Sequence, residues 1–232
     1  MYKRILIKLS GEALAGPSGS GIDADVIDNI VSQLVQVHKN GVDVAIVVGG
    51  GNFWRGRQGQ NMDRVTADHM GMLATLMNSL ALQDCIEAKG ITARVQSALS
   101  IPSIAETFVL RKAKEHFDEK CIVIFACGTG QPYFSTDTGA ALRAAEIGSD
   151  VLLMAKNIDG VYDSDPIKNK NAKKYDRISY LDIINKKLEL MDTTSVTLCM
   201  ENHIPVIAFG LGVKDSIIKA ASGQKIGTLI EG

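Results

Sequence analysis

Three apolar segments of this sequence each give way to glycine and small polar residues. The three junctions are Ser10-Gly11, Gly49-Gly50-Gly51-Asn52 and Gly128-Thr129-Gly130. If the segments are parallel strands, the junctions lie together at the carboxyl edge of one sheet, where backbone N–H groups can approach an anion closely. Lys8 and Arg55 stand nearby in the sequence and add positive charge. Any single junction is typical of an ordinary strand-to-helix turn, but the three together predict a phosphate-binding edge.

Acidic residues near these segments complete the chemistry that a phosphate site needs. Asp137 and Asp192 each precede a helical segment, and Asp163 and Asp165 stand just before a proline. Each has an ordinary structural role open to it, as a helix N-cap or a turn former. Phosphoryl transfer needs cations over the transferring group and carboxylates that orient those cations or hold Mg²⁺. The sequence supplies residues of both kinds.

The sequence lacks the standard signatures of several other site classes. It contains no G-x-x-x-x-G-K-[ST] loop, and none of the strand segments is followed by G-x-G-x-x-G. The four histidines are scattered, without an H-E-x-x-H pair, and the four cysteines show no zinc-type spacing. P-loop NTPases, protein kinases, dinucleotide-dependent dehydrogenases, hydrolases and zinc enzymes are therefore disfavoured. We expect the cysteines to be buried, reduced thiols.

Short β-branched apolar runs alternate with longer helical stretches, which is the pattern of an α/β fold with a mostly parallel sheet covered on both faces. The predicted strands are residues 5–9, 42–48, 92–96, 121–126, 151–154 and 206–209. The predicted helices include residues 22–40, 65–89, 179–187 and 193–201. Residues 156–176, rich in Asp, Asn and Lys, are predicted to form an exposed loop or hairpin. No internal repeat or linker divides the chain, so we expect one domain over residues 1–232.

Composition limits the partners of this fold. The 25 Lys and Arg residues against 26 Asp and Glu leave a formal charge of −1, which provides no broad basic surface for nucleic acid or an anionic membrane. No uninterrupted apolar run approaches the roughly 20 residues that span a bilayer, and no signal-type segment follows the first residues. We therefore expect a folded, cytoplasmic protein without a nucleic-acid or membrane partner.

The predicted helix 65–89 is rich in Met and Leu around most of its circumference. Such a helix has more apolar surface than one face of a sheet can cover, so we expect part of it to lie between subunits. A polar substitution in this helix, such as Leu76→Glu, is then expected to lower the mass of the oligomer.

The chain carries a series of motifs from end to end: Lys8-Leu9-Ser10-Gly11-Glu12-Ala13-Leu14, Gly49-Gly50-Gly51-Asn52 with Arg55, Asp68-His69-Met70-Gly71-Met72-Leu73-Ala74, Gly128-Thr129-Gly130-x-Pro132, Thr136-Asp137, Asp159-Gly160-Val161-Tyr162 and Asp165-Pro166. In order and spacing, these motifs resemble those of bacterial uridylate (UMP) kinases, a branch of the amino acid kinase superfamily. The motif that starts at Asp68 and the loop that starts at Gly128 are the most specific to UMP kinases.

The resemblance implies a three-layer α/β sandwich with a central, mostly parallel sheet, the carbamate kinase-like fold of amino acid kinases. It also implies transfer of the γ-phosphoryl group of MgATP to UMP, giving UDP and ADP for pyrimidine nucleotide biosynthesis. The catalytic residues that it implies are Lys8, Arg55, Asp137 and Asp192. ATP would be bound by Lys8, Leu9, Ser10, Gly11, Gly51, Arg55, Asn157, Tyr162 and Asp165. UMP would be bound by Gly50, Asp68, Thr129, Gly130, Gln131, Pro132, Tyr133, Phe134, Ser135 and Thr136.

The same resemblance implies a homohexamer, with GTP and UTP as possible effectors, and Mg²⁺ that enters with ATP. It assigns no residue to the metal and none to a regulatory site. Ser135 stands where the family pattern has a further threonine, and this substitution keeps the hydroxyl group.

Two alternatives to a UMP kinase remain open. One is a non-enzymatic nucleotide- or oxyanion-binding storage protein on the same fold, as in the molybdenum storage proteins. Retention of Lys8, Arg55, Asp137 and Asp192 argues against storage, which does not need charge neutralisation at a reacting group. The other is an acid-substrate kinase of the superfamily, such as a carbamate or glutamate kinase. Asp68 and residues 129–136 argue against that class, because they belong to the UMP pattern.

Overall fold

The computed structural model describes residues 2–54, 62–188 and 190–232 of the chain. The strands, in chain order, are β1 (Arg4–Leu9), β2 (Asp43–Val48), β3 (Ala93–Ser97), β4 (Glu106–Thr107), β5 (Ile122–Ala126), β6 (Val151–Lys156), β7 (Arg177–Ile178), β8 (Val206–Gly210) and β9 (Thr228–Ile230). The helices are α1 (Gly11–Leu14), α2 (Ala24–Lys39), α3 (Arg64–Ala88), α4 (Leu110–Asp118), α5 (Thr136–Ile147), α6 (Tyr180–Asn185), α7 (Thr193–Glu201) and α8 (Ser216–Ala221).

The strands within these ranges form one nine-stranded sheet in the order β4-β3-β5-β2-β1-β6-β8-β9-β7. Neighbouring strands are parallel except β8 and β9, which are antiparallel. The predicted mostly parallel sheet is therefore confirmed. Because β5, β2, β1 and β6 are consecutive in this order, their carboxyl ends lie side by side along one edge.

Helices cover both faces of the sheet and make three layers. Side chains alternate between the two faces along a strand, so β1 contributes to two separate apolar clusters. Ile5 and Ile7 pack in the cluster that includes residues of α2, α3 and α8. Leu6 packs in the cluster that includes residues of α4, α5, α6 and α7. The central strands are buried on both faces, which explains their nearly continuous apolar sequences.

Several element boundaries differ from the prediction. β6 continues to Lys156, which pairs with Gly210 of β8, although the sequence predicted that the strand ends at 154 and that a loop begins at 156. Pairing with the neighbouring strand, rather than hydropathy, decides this end. α2 begins two residues later than predicted because Asp23 is its N-cap and accepts hydrogen bonds from the N–H groups of Asp25 and Val26. The strands β4, β7 and β9 were not predicted.

The long helix α3 is covered on part of its surface only. Leu76 is 5% exposed and packs in the core, whereas Leu73 and Met77 are 46% and 50% exposed. Leu76→Glu would therefore disrupt the core, and the choice of Leu76 as a probe of assembly was wrong. Neither α3 nor another helix of the described ranges combines the length and hydropathy needed to cross a membrane.

The four cysteines are free, as predicted. Cys121, Cys127 and Cys199 are buried, and Cys85 is half-buried. Burial raises the pKa of the Cys199 thiol to about 12 and also raises the pKa of Cys127. These two thiols therefore stay protonated at neutral pH and behave as small apolar groups.

Candidate active site

The three glycine junctions follow β1, β2 and β5, which are neighbours in the sheet, so they meet at its carboxyl edge. Two of the glycines are required by the closeness of the surrounding backbone. A Cβ atom on Gly11 would lie 2.7 Å from the backbone N of Gly51, and a Cβ atom on Gly50 would lie 2.8 Å from the carbonyl oxygen of Gly71. Both contacts are too short for a real Cβ atom. The strand ends are thus packed closely, with backbone and not side chains at the edge.

A pair of buried amides supports the turn that follows β2. Asn52 and Asn78 exchange hydrogen bonds, with Nδ2 to Oδ1 distances of 2.9 and 2.7 Å. Asn78 also donates to the carbonyl oxygen of Gly49, and Asn52 donates to that of Gly21, each at 2.7 Å. Asn78 is on α3, so this network fixes the turn against a helix. Asn78 was not predicted from the sequence, because a lone Asn in a helical segment carries no local signal.

Lys8 and Asp137 form an ion pair at the centre of this edge. The Lys8 Nζ lies 2.7 Å from Asp137 Oδ1, and the two side chains are 10% and 15% exposed. Lys8 is on β1, and Asp137 is in the first turn of α5. The N-cap of α5 is Ser135, whose Oγ accepts hydrogen bonds from the N–H groups of Asp137 and Thr138. The possible role of Asp137 as a plain N-cap is therefore wrong, and its carboxylate is available to hold a cation.

A second lysine, Lys156, faces the same carboxylate. Its Nζ lies 3.7 Å from Asp137 Oδ2. Burial lowers the pKa of the Lys156 ammonium group, a shift that Asp137 opposes and the charge of Lys8 reinforces. Lys156 was predicted to belong to an exposed loop and was assigned no role at the site. The signal that could have identified it is its position directly after an apolar strand.

Asp192 is the N-cap of α7, as predicted, and its carboxylate also contacts α5. Oδ1 accepts hydrogen bonds from the N–H of Ser195 at 3.1 Å and from Thr138 Oγ1 at 2.9 Å. Oδ2 accepts a hydrogen bond from Ser135 Oγ at 2.5 Å. Burial alone would raise the pKa of this carboxyl, but the hydrogen bonds from Ser135 and Thr138 lower it below its ordinary value. Asp192 is therefore an ionised group that joins two helix N-termini.

Asp68, on α3, holds the loop that precedes α5. Its Oδ2 accepts a hydrogen bond from the backbone N–H of Tyr133 at 2.8 Å and one from Arg64 Nε at 2.8 Å. The Arg64 guanidinium also lies over the Tyr133 ring, 5.3 Å from its centroid. Tyr133 has a positive φ of 72°, which the hydrogen bond to Asp68 helps to maintain. Arg64 was not identified from the sequence, although it stands one helical turn before Asp68.

Lys8, Arg64, Asp68, Asp137 and Asp192 line an open cleft of about 1140 Å³. Of the predicted UMP-binding residues, the cleft is lined by Gly50, Asp68, Thr129, Gln131, Tyr133, Phe134, Ser135 and Thr136. Gly130 and Pro132 are not part of its lining. Of the other predicted residues, it is lined by Lys8, Gly51, Asp137 and Asp192. The cleft therefore brings together most of two predicted groups that lie far apart in the sequence.

A second cavity of about 600 Å³ is lined by the segment that follows β6. Asn157, Tyr162 and Asp165, which were predicted to bind ATP, line it together with Lys156. The Tyr162 hydroxyl donates a hydrogen bond to Asp159 Oδ1 at 2.6 Å. Asp165 Oδ1 accepts one from the N–H of Ile167 at 2.9 Å and so forms a turn. Leu190 lines both cavities, which are therefore adjacent.

The remaining predicted ATP-binding residues lie behind the surface of the cleft or outside the described residues. Leu9 is fully buried, so it can offer only its backbone to a ligand. Ser10 is the N-cap of α1, and its Oγ accepts a hydrogen bond from the N–H of Ala13. Gly11 is buried against the turn after β2. Arg55, predicted to be catalytic and to bind ATP, lies outside the residues that the structure describes.

One group of three potential metal ligands occurs in the described part of the chain, and it lies away from the cleft. It consists of His116, Glu119 and Cys121, close to the start of β5. The glycine junction is at the other end of β5. The described residues of the cleft thus form no comparable group of ligands.

Known proteins share the sequence pattern and the fold of this chain. The model of the amino acid kinase family matches residues 3–210. The fold is similar to the crystal structure of UMP kinase from Bacillus anthracis, with a TM-score of 0.96 and 36% identity over 99% of this chain and 96% of that one. It is also similar to the crystal structure of UMP kinase from Ureaplasma parvum, with a TM-score of 0.94 and 37% identity over 100% of both chains. A third similar structure is that of uridylate kinase from Archaeoglobus fulgidus, with a TM-score of 0.73 and 26% identity over 97% of this chain and 99% of that one.

Proposed function

We propose that this chain, which belongs to the amino acid kinase family, transfers the γ-phosphoryl group of ATP to UMP and gives UDP and ADP. The observation that carries the proposal is the Lys8–Asp137 ion pair, which lines the larger cleft and lies next to Lys156 of the adjacent cavity. One cavity is lined by the predicted UMP-binding loop, and the other by the predicted adenosine-binding segment. The full-length similarity to two UMP kinases supports the same reaction.

Lys8 and Asp137 are placed to act at the transferring phosphoryl group. The Lys8 ammonium lies at the carboxyl end of β1 and is nearly buried, so its charge acts in a medium of low dielectric constant. A fixed cation at this point stabilises the charge that spreads over the phosphoryl oxygens in the transition state. Asp137 orients Lys8, and Asp192 holds the start of α5 through Ser135 and Thr138. Arg55 is proposed, from the family resemblance, as a second cation on the phosphates.

Mg²⁺ is proposed to enter with ATP. Asp192 already accepts three hydrogen bonds, and Asp137 has Lys8 on one oxygen and Lys156 near the other. Carboxylates with these contacts fit a metal ion whose ligands are mainly substrate phosphates and water. Asp137 is the carboxylate placed to hold that ion. When bound, Mg²⁺ would neutralise charge on the phosphates.

The cleft beside Asp68 is proposed to hold UMP. Thr129, Gln131 and the backbone of the 129–136 loop offer donors and acceptors for the uracil edge and the ribose hydroxyls. A loop that pairs with uracil leaves buried polar groups unpaired against cytosine, so UMP should be strongly preferred to CMP. Asn157, Tyr162 and Asp165 are proposed to hold the adenosine end of ATP in the second cavity.

An assay of ADP release tests this function. UMP, CMP, carbamate and glutamate are offered separately with MgATP. We expect turnover with UMP, a kcat/KM at least about 100-fold lower with CMP, and no turnover with the two acids. Turnover with carbamate or glutamate would make the protein an acid-substrate kinase, and nucleotide binding without turnover would favour the storage role. Comparable kcat/KM for UMP and CMP would contradict the proposed uracil recognition.

We further propose a single domain that assembles as a homohexamer in the cytoplasm and is regulated by nucleotides. The exposed apolar side chains of α3, which include Met70, Leu73 and Met77, support burial between subunits. UTP can inhibit by occupying the uracil site, and GTP is proposed as an activator that acts through subunit interfaces.

Light scattering tests the assembly and should give a mass near six chains. Leu73→Glu should lower that mass, whereas Leu181→Glu, which changes a 58% exposed leucine on α6, should not. A fully active monomer that is indifferent to UTP would contradict both assembly and regulation.

A further inference from the structure

Lys156 lies at the carboxyl end of β6, next to the Lys8–Asp137 pair. Lys8 on β1 is in register with Met154 on β6, and Lys156 is two residues beyond Met154. Residues two apart on a strand point to the same face. The side chains of Lys8 and Lys156 therefore share the face that α5 covers, and Asp137 from α5 lies between them.

The contact between Lys156 and Asp137 leaves the lysine able to bind a ligand. The Nζ to Oδ2 distance of 3.7 Å is longer than a hydrogen bond, so this contact does not occupy the N–H donors of the ammonium group. The Lys156 side chain is 27% exposed, so a ligand can reach it. A mostly buried ammonium group held near one carboxylate is a good partner for a second anion.

The position of Lys156 relative to the two cavities identifies that anion. Lys156 lines the smaller cavity together with Tyr162 and Asp165, whereas Lys8 and Asp137 line the larger cleft. A phosphate chain that joins a nucleoside in the smaller cavity to an acceptor in the larger cleft therefore runs from the cavity that Lys156 lines to the cleft that Lys8 lines.

We infer that Lys156 is a further catalytic residue, which binds the β-phosphate of ATP and stabilises ADP as the leaving group. The inference rests on the proposed transfer from ATP. An acceptor oxygen of UMP forms a bond to the γ-phosphorus while the bond from that phosphorus to the β–γ bridging oxygen breaks. The electron pair of the broken bond stays on ADP, so negative charge grows on its β-phosphate. The Lys156 ammonium donates hydrogen bonds to that phosphate and keeps its protons, while Lys8 remains on the transferring group.

The test compares Lys156→Met, Lys156→Arg and the control Lys225→Met, which changes an exposed lysine on the surface. We expect Lys156→Met to lower kcat by 10- to 100-fold, on the order of the loss of one preorganised donor, with KM for UMP little changed. Lys156→Arg should restore most of kcat, because arginine also donates charge-assisted hydrogen bonds to phosphate. Lys225→Met should behave as wild type.

Calorimetry of ADP binding tests the role of Lys156 independently of which acceptor the enzyme phosphorylates. Lys156→Met should weaken ADP binding by about tenfold, as expected for the loss of one charge-assisted hydrogen bond, whichever acceptor the enzyme uses. Failure of wild type to phosphorylate UMP would overturn the proposed function and leave this ADP measurement valid. Normal kcat and ADP affinity in a folded Lys156→Met protein would show that Lys156 is only a structural partner of Asp137, and would overturn the inference.

Discussion

The phosphate end and the adenosine end of the proposed ATP site are built in different ways. At the phosphate end, Lys8 is 8% exposed and Asn78 is fully buried, and both are anchored in regular elements. At the adenosine end, residues 157–176 contain no helix or strand, and Ile167 is 82% exposed. Lys8 and Asp137, proposed to act at the transferring group, are thus largely buried on regular elements, whereas the groups proposed to hold adenosine are on an exposed segment. The difference indicates that precise positioning is concentrated at the reacting atoms.

The two regions also differ in the bonds that hold them. The phosphate end is fixed by contacts between residues far apart in the sequence, such as Lys8 with Asp137 and Asn78 with Gly49. The adenosine end is anchored to β9 near its two ends, where Thr228 Oγ1 accepts a hydrogen bond from Val161 N and donates one to the Tyr175 carbonyl oxygen. Between these anchors it has local, exposed bonds, for example from Asn171 N to Asn169 Oδ1 and from Lys173 N to Asp163 Oδ1. Local, exposed hydrogen bonds open with little free energy, so the loop should be the less stable of the two.

The largest effect is expected from Lys8→Ala. It should lower kcat by on the order of 100-fold or more, because a preorganised cation acts mainly on the transition state. Asp137→Asn and Arg55→Ala should behave in the same way. Steady-state kinetics with saturating ATP and UMP checks this, with circular dichroism to confirm the fold. An unchanged kcat with a raised KM would mean that these residues bind ground-state phosphate only, and the contrast between the two ends would fail.

The second-largest effect is expected from Asn78→Ala at the phosphate end, with Asn169→Ala at the adenosine end as its comparison. Asn78→Ala should lower the free energy of unfolding by about 2 to 4 kcal/mol, because it removes buried hydrogen bonds and leaves Asn52 and the Gly49 carbonyl without that partner. Asn169→Ala removes exposed bonds and should cost less than about 1 kcal/mol. Urea titration of both variants measures the difference. Equal losses would contradict the assignment of rigidity to the phosphate end.

A smaller effect, with a pH signature, is expected from Asp192→Asn. The folded pKa of Asp192 lies below its ordinary value of 3.8, so the unfolded chain binds the proton more tightly. The carboxylate therefore stabilises the fold above pH 3.8, and this stabilisation is lost as the pH falls through the folded pKa.

At pH 7 the free energy of unfolding of Asp192→Asn should be about 1 to 2 kcal/mol lower than that of wild type, since a helix cap and charged hydrogen bonds are weakened. Urea denaturation at a series of pH values should show that this difference shrinks below pH 3.8. A difference that stays constant from pH 7 to pH 3 would mean that the carboxylate charge does not contribute.

The smallest effect is expected from Tyr162→Phe. It removes the hydroxyl that bonds to Asp159 on the exposed loop and should raise KM for ATP by no more than about tenfold, the value of one ordinary hydrogen bond. kcat should stay close to wild type, because Tyr162 is proposed to bind only the adenosine end of ATP. A large loss of kcat would place the adenosine end in the catalytic machinery and remove the distinction between the two regions.

Much of the fold follows from local patterns in the sequence. The strands at residues 5–9, 121–126 and 206–209 were predicted closely because strands buried on both faces have nearly continuous apolar sequences. The cap Asp192 acts next to the helix it starts, so it too leaves a local signal, whereas α2 was predicted to begin at residue 22, before its cap Asp23. β4, β7 and β9 have two or three residues each, which is too short for a periodic pattern, and they exist because a neighbouring strand pairs with them.

The sequence by itself determined the mostly parallel sheet, the glycine-containing strand ends and the residue types available for phosphate chemistry. Only the tertiary structure decided which of those residues meet. Lys156 faces Asp137 because β6 pairs with β1 in one register, and Arg64 reaches Tyr133 because α3 lies beside the loop before α5. Hydropathy and turn residues act over a few positions along the chain, whereas strand pairing and helix packing join residues more than a hundred positions apart. A site formed by such contacts is therefore visible only when the chain is folded.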